Sequence, residues 1–272
     1  MNAKDSTNES KKPEIIYAWD YLEWGGVQIL FLGIMRLAVA KGYKVTALMP
    51  VGTSEDLISY LKVENVVVEF FDAKIDLSKA KSFLHKIRRR LNDWNCNLIL
   101  ARNLARRDLS DKIVHIDAAP WSAFALLFYI ALKTNVFITL HIAQPTAPTL
   151  RNLWIKFKYR LLYMLPKFHL LASNREMHEN LKWFATPEKW REVAFVHSGI
   201  NTEEISTTLN TEFDRSGLKR KHGLPIDKKI VLALGNIVER KGFRVFTEAA
   251  RMLQKDAPEL VFVWVGDGEK RG

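Results

Sequence analysis

The sequence predicts an α/β fold: one complete doubly wound parallel sheet, followed by the first β-α-β unit of a second. Three observations point there. Short runs of β-branched and apolar residues recur along the chain, segments of helical length separate them, and the rhythm stops at a polar stretch before restarting. Strands that are continuously apolar, rather than alternating, belong to parallel sheets covered on both faces. Right-handed crossovers between such strands wind the helices onto both sides.

In chain order, strands are expected at residues 15–19, 44–50, 66–71, 97–101, 112–116, 136–141, 169–173 and 192–197. Helices are expected at 27–41, 77–94, 121–133, 150–165 and 175–183. Residues 1–14 are polar and read as a disordered tail, so the N-terminal domain is expected over 15–200. Residues 201–229 are rich in Thr and charge, are punctuated by Gly217, Gly223 and Pro225, and read as a linker. The pattern restarts with IVLALG (230–235), a helix at about 240–255 and LVFVWVG (260–266). Phe243, Phe246, Ala250 and Leu253 follow the spacing that buries one helix face. One such unit cannot cover both faces of a parallel pair. Residues 230–272 are therefore expected to be a partial C-terminal domain, with Leu232, Leu234, Val261 and Val263 open to water.

Of 272 residues, 48% are apolar and 26% charged, which excludes a disordered or collagen-like chain. Lys and Arg number 41 against 30 Asp and Glu, a net charge of +11. That excess suits anionic partners without choosing among nucleic acid, nucleotide phosphates and an acidic membrane surface. Cys96 is the single cysteine, so an intrachain disulfide and a cysteine zinc site are both excluded. The N-terminus lacks the apolar core of a secretory signal. The longest near-apolar run, 118–132, falls short of the ~20 residues of a membrane span and reads as a buried helix. A cytoplasmic location is expected, with peripheral contact at the inner membrane face.

Gly25 and Gly26 follow the first expected strand and open the first helix. Ligands of open α/β sheets lie beyond the carboxyl ends of the strands, and glycines there let backbone N–H groups approach a phosphate. A tight turn without a ligand is the alternative, and the G-x-G-x-x-G fingerprint is missing. GNIVERKG (235–242) has the same place in the restarted unit, with Asn236 in the loop and Arg240-Lys241 at the helix start. A lysine there opposes the helix dipole unless an anion lies between them. Solvation of both cations is the alternative, and the G-K-[ST] ending of a P-loop is absent.

His115 and His141 end expected strands. A strand-end histidine can bond a ligand or move a proton. The other reading is a histidine satisfied by a neighbouring carbonyl, and His115 is assigned to it. The sequence carries neither metal-ligand spacing nor a G-x-S-x-G elbow. Residues 151–168, RNLWIKFKYRLLYMLPKF, mix bulky apolar and basic residues as interfacial helices do. A core-packing helix with a solvated face is the reading preferred for them. Arg88, Arg89 and Arg90 have Trp94 as their one nearby aromatic residue, so they make no stacking platform for nucleic acid.

Taken in order, WGGVQ (24–28), AKGYKVTALMP, KIVHID, VFITLHIAQP, HLLASNREMHENL, FVHSGINTEEI (195–205) and VLALGNIVERKGFRVFTEAARML (231–253) resemble the group 1 (family 4-like) retaining glycosyltransferases of the GT-B fold. The resemblance runs from about residue 15 to the end. It implies a hexosyltransferase-type enzyme of polysaccharide biosynthesis that moves a sugar from a nucleotide-sugar to a glycan or lipid-linked acceptor. It implies no metal and no cofactor; no nucleic-acid partner is expected, and a nucleic-acid-binding α/β protein is the third and most distant reading. His141 matches the catalytic strand-end histidine facing the transferred sugar. Gly25 and Gly26 would touch the diphosphate through backbone N–H groups, and Lys241 would neutralise it. Asn236 stands where the family has arginine, and Arg240 is the candidate replacement. The family's acidic Glu-x7-Glu donor segment lies beyond residue 272, so a C-terminally truncated enzyme is expected. The alternative is a non-catalytic remnant, an anion-binding α/β interaction protein.

Overall fold

The computed structural model describes residues 12–19, 22, 26–75, 82–118, 120–141, 143–196 and 202–266. The chain divides into two compact units, Met1–Asn201 and Thr202–Gly272.

The first unit is built on seven strands: β1 (Glu14–Trp19), β2 (Val45–Pro50), β3 (Val67–Phe71), β4 (Lys112–Asp117), β5 (Asn135–Leu140), β6 (Phe168–Ala172) and β7 (Ala194–Phe195). They form one sheet in the order β3-β2-β1-β4-β5-β6-β7. Every pairing is parallel. The order reverses between β1 and β4, whose register runs from Glu14 opposite Lys112 to Trp19 opposite Asp117.

Alternation along β1 separates two cores. Tyr17 and Trp19 pack with Phe31 and Met35 of α1 (Gly26–Ala40) and with Leu57 and Leu61 of α2 (Glu55–Val63). Ile16 and Ala18 belong to the other core. It contains Leu100 of α3 (Phe83–Ala105), Leu127 of α4 (Phe124–Lys133), Tyr159 of α5 (Leu150–Tyr163) and Leu181 of α6 (Arg175–Leu181). The sheet is thus covered on both faces, as continuously apolar strands require.

Glu14 lies within β1, so the strand begins inside the expected tail. Its carboxylate accepts from Lys112 Nζ at 2.7 Å and Thr46 Oγ1 at 2.6 Å, joining β1 to β4 and β2. Burial acts to raise this carboxyl, but the bonds from Lys112 and Thr46 outweigh it and bring it down to about 2.

Three other expectations are corrected. Residues 97–101 are helical, part of α3, because Cys96, Leu100 and Leu104 recur every four residues and bury one helix face. The last strand shrinks from 192–197 to β7, since Thr186 caps α7 (Pro187–Glu192) with proline in its first turn. Residue 197 lies outside the described residues. The expected linker holds two helices, α8 (Thr202–Asn210) and α9 (Arg215–Lys221). Asp214 caps α9 by accepting from Gly217 N–H, and Lys219, Arg220 and Lys221 complement its C-terminal dipole.

In the second unit β8 (Lys229–Leu234) and β9 (Leu260–Val265) pair in parallel and are joined through α10 (Phe243–Leu253). Phe246 of α10 packs edge-on against Phe262 and Trp264, each with ring centroids 5.4 Å away. On the other face Leu232 and Leu234 are exposed, while Val261 and Val263 are half-buried. None of the described side chains of this unit is fully buried.

Candidate functional site

The carboxyl ends of β1, β4 and β5 flank the point where strand order reverses, the usual position of a ligand crevice in such sheets. α1 begins at Gly26 and carries no acidic residue in its first turn. Its leading N–H groups and the positive end of its dipole are suited to an anion. Gly25 lies outside the described residues.

His141 directly follows β5. It is therefore the end of the fifth strand, not the sixth, because residues 97–101 are helical. Its ring lies edge-on to Phe31 of α1, with centroids 6.5 Å apart. The side chain is half-buried, and its Nε2 is buried without a hydrogen-bond partner. Burial holds the imidazole below its ordinary pKa. At neutral pH it is uncharged, with one ring nitrogen accepting and the other donating. A neutral imidazole with an unengaged nitrogen can bond a hydroxyl or an oxygen that develops negative charge.

His115, on β4, lies deeper. Its Nε2 is 2.9 Å from Thr139 Oγ1, so a hydroxyl satisfies it where the sequence suggested a carbonyl. Its ring packs 4.7 Å from Phe31 and 5.3 Å from Tyr17. Burial first, then the neighbouring His141, pushes its pKa down to about 3. The unfolded chain binds the His115 proton near pH 6.5, so it holds more protons than the folded chain between pH 6.5 and about 3. Stability from this group is complete above that window and declines as pH falls through it, by about 1.4 kcal/mol per pH unit. Urea unfolding measured from pH 7 to pH 4 should show that decline. His115→Gln should remove about one proton's worth of the slope, and an unchanged slope would show that His115 does not titrate on unfolding.

In the second unit the loop after β8 carries the other candidates. Gly235 has φ +139° and its carbonyl accepts from Trp264 Nε1 at 2.7 Å. Gly266, just past β9, has φ +154°, and a Cβ there would lie 2.0 Å from the Gly235 oxygen. The two strand ends meet backbone to backbone. Lys241 closes a 3-10 turn (Glu239–Lys241), is exposed, and lays its aliphatic stem beside Gly235. Gly242, with φ +75°, then turns the chain into α10. Asn236 is exposed in the same loop. The backbone of Arg240 belongs to the 3-10 turn, and its side chain lies outside the described residues.

The structure thus gathers Gly26 and His141 on the first unit, and Asn236, Arg240 and Lys241 on the second. Phe31 and Thr139 were missed in the sequence. Thr139 was within reach, because alternation puts it on the same strand face as His141. Phe31 needed the placement of α1 over β4. Among the described residues no cluster of three or more His, Cys, Asp or Glu side chains could hold a metal ion. Among the same residues no helix is long and apolar enough to cross a membrane.

No protein-family model matches the chain. No curated protein matches it in sequence. Solved structures do match in fold. Anabaena HepE in complex with UDP and glucose aligns with a TM-score of 0.60 at 12% identity, over 95% of this chain and 62% of that one. A glycosyltransferase from Rickettsia africae aligns with a TM-score of 0.54 at 12% identity, over 93% and 68%. The N-terminal domain of Candida albicans trehalose-6-phosphate phosphatase aligns with a TM-score of 0.62 at 12% identity, over 94% and 65%. The chain shares their GT-B-like α/β fold. It spans 62% of the length of the HepE structure. A fold that serves proteins so differently described leaves the reaction to be argued from the site.

Proposed function

We propose that the chain belongs to a retaining, family 4-like glycosyltransferase that moves a hexose from a nucleotide-sugar to a glycan or lipid-linked acceptor, without a metal or cofactor, in the cytoplasm. The observation that carries this reading is His141: neutral, beside α1 at the carboxyl edge of the sheet, with a buried Nε2 that no protein group engages. A sugar hydroxyl is the partner such a nitrogen fits. The ordered phrases of the sequence support the same reading, as does the likeness in fold to HepE, whose structure holds UDP and glucose.

As the sugar departs, negative charge develops on the nucleoside diphosphate. Catalysis then rests on fixed groups that stabilise that charge. On the second unit, Lys241 beside Gly235 is such a group; on the first, the N–H groups at the start of α1 are suited to an anion. The test is calorimetric titration of nucleoside diphosphates into the product of the whole gene. A charge-assisted phosphate bond contributes roughly 1.5–3 kcal/mol. Lys241→Ala should therefore weaken binding by about tenfold or more. Unchanged affinity would mean that Lys241 is only solvated at the start of its helix.

A further inference from the structure

α3 and α5 carry two apolar faces each, of which the core uses only one. On α3 the buried residues Cys96, Leu100 and Leu104 form one stripe. Phe83, Leu84, Ile87, Leu91 and Trp94 form another, at the three- and four-residue spacing of a helix face, and all five are exposed. No side chain from residue 83 to 95 is buried. Asn92 Nδ2 donates to the carbonyl of Lys74, just past the end of β3, so the turns before it extend beyond the carboxyl edge of the sheet. On α5, Ile155, Tyr159 and Leu162 face the core, whereas Leu150, Trp154 and Phe157 face out, with Leu150 88% and Trp154 57% exposed. α4 packs between these two helices. An apolar groove of about 290 Å³ runs between α3 and α4 past Trp94, Leu98 and Tyr129, continuing the stripe of α3.

Charge identifies what covers this surface. α3 has five Lys or Arg against one Asp, and α5 has four against no acid. On α5 the basic residues flank the outer apolar stripe on both sides, Arg151 and Lys158 on one, Lys156 and Arg160 on the other. Lys158 lies over the Trp154 ring, 5.7 Å from its centroid, and Lys156 lies 4.5 Å over Trp183. Basic residues flanking an exposed apolar stripe that carries a tryptophan are the pattern of a helix lying in a bilayer interface.

We infer that the outer stripes of α3 and α5 dock this protein on an anionic lipid bilayer. The leading turns of both helices lie at the carboxyl edge of the sheet that also carries His141, so docking brings His141 to the level of lipid head groups. The inference does not depend on sugar transfer, because vesicle binding needs no donor. The preferred sequence reading of residues 151–168, a helix that packs on the core and keeps an exposed outer face, agrees with α5; the inference adds what that outer face is for.

Flotation of the 272-residue chain with vesicles is the test, comparing phosphatidylcholine alone with the same lipid containing one third phosphatidylglycerol. The chain should float with the anionic vesicles and stay behind with the neutral ones. Each cation near an anionic surface contributes about fivefold. Arg88→Gln combined with Arg90→Gln, the two positions that flank the α3 stripe, should therefore lose about twenty-five-fold. Trp94→Glu and Trp154→Glu, both at exposed positions, should each lose tenfold or more with unchanged circular dichroism. Binding that ignores lipid charge, or that survives both tryptophan substitutions, would overturn the inference. So would tighter retention on random duplex DNA than on vesicles, or a dimer that the tryptophan substitutions dissolve while vesicle binding is absent.

Discussion

Replacing His141 with alanine should lower turnover of the whole gene product by roughly 10²–10³-fold, the usual effect of losing one hydrogen bond made to a developing charge. The protein should remain folded. The side chain is half-buried and its Nε2 bonds to no protein group, so truncation breaks no internal hydrogen bond. The imidazole's environment also sets the pH response. Burial depresses its pKa, so the neutral ring dominates across the neutral range, and activity should not rise on acidification to pH 6. Steady-state kinetics beside a melting curve separate the two roles. A loss of activity matched by a loss of fold would make His141 a packing residue, and full activity would remove it from the site.

Gly266→Ala should be the most damaging single methyl in the second unit. The new Cβ would lie 2.0 Å from the carbonyl oxygen of Gly235, a backbone atom that cannot move without breaking the bond from Trp264 Nε1. Gly266 also has a φ of +154°, which an L side chain rarely adopts. Overpacking and backbone strain together cost about 3 kcal/mol or more. The unit offers no fully buried side chain among its described residues to absorb that loss. Tryptic cleavage within α10 should accelerate about a hundredfold, because proteolysis follows the open population. Gly33→Ala on the exposed side of α1 is the control: nothing lies within 4 Å of its Cβ, and helix propensity should make it stabilising by ~0.5–1 kcal/mol. Equal cleavage of the Gly266→Ala variant and the parent chain would contradict the close approach of the two strand ends.

Much of this architecture was legible in the sequence because burial on both faces leaves a plain mark. Strands β1 to β6 and β8 and β9 lie where β-branched apolar runs stand. The errors have two causes. Residues 97–101 form a short apolar run that fits a buried strand or a buried helix equally, and only the spacing of Cys96, Leu100 and Leu104 separates the two. α8 and α9 were hidden because their polar composition resembles a loop, and the cap and end charges that support α9 are themselves polar residues. At the candidate site, strand-end position made His141 visible. Its contact with Phe31 needs α1 to cross over from β1, which one-dimensional spacing does not carry. The outer stripe of α3 was missed for a related reason: a sequence shows that a helix is apolar, but only packing shows which apolar face is left over.

The most direct test of sugar transfer is a balance sheet of one reaction. The whole gene product is incubated with a panel of nucleotide-sugars and a lipid and glycan extract, and both products are counted by mass spectrometry. One donor should yield nucleoside diphosphate in equal amount to sugar gained by an acceptor, with the anomeric configuration retained, and His141→Ala should abolish both products together. Donor hydrolysis or isomerisation with no sugar on any acceptor, or transfer that His141→Ala leaves intact, would contradict it.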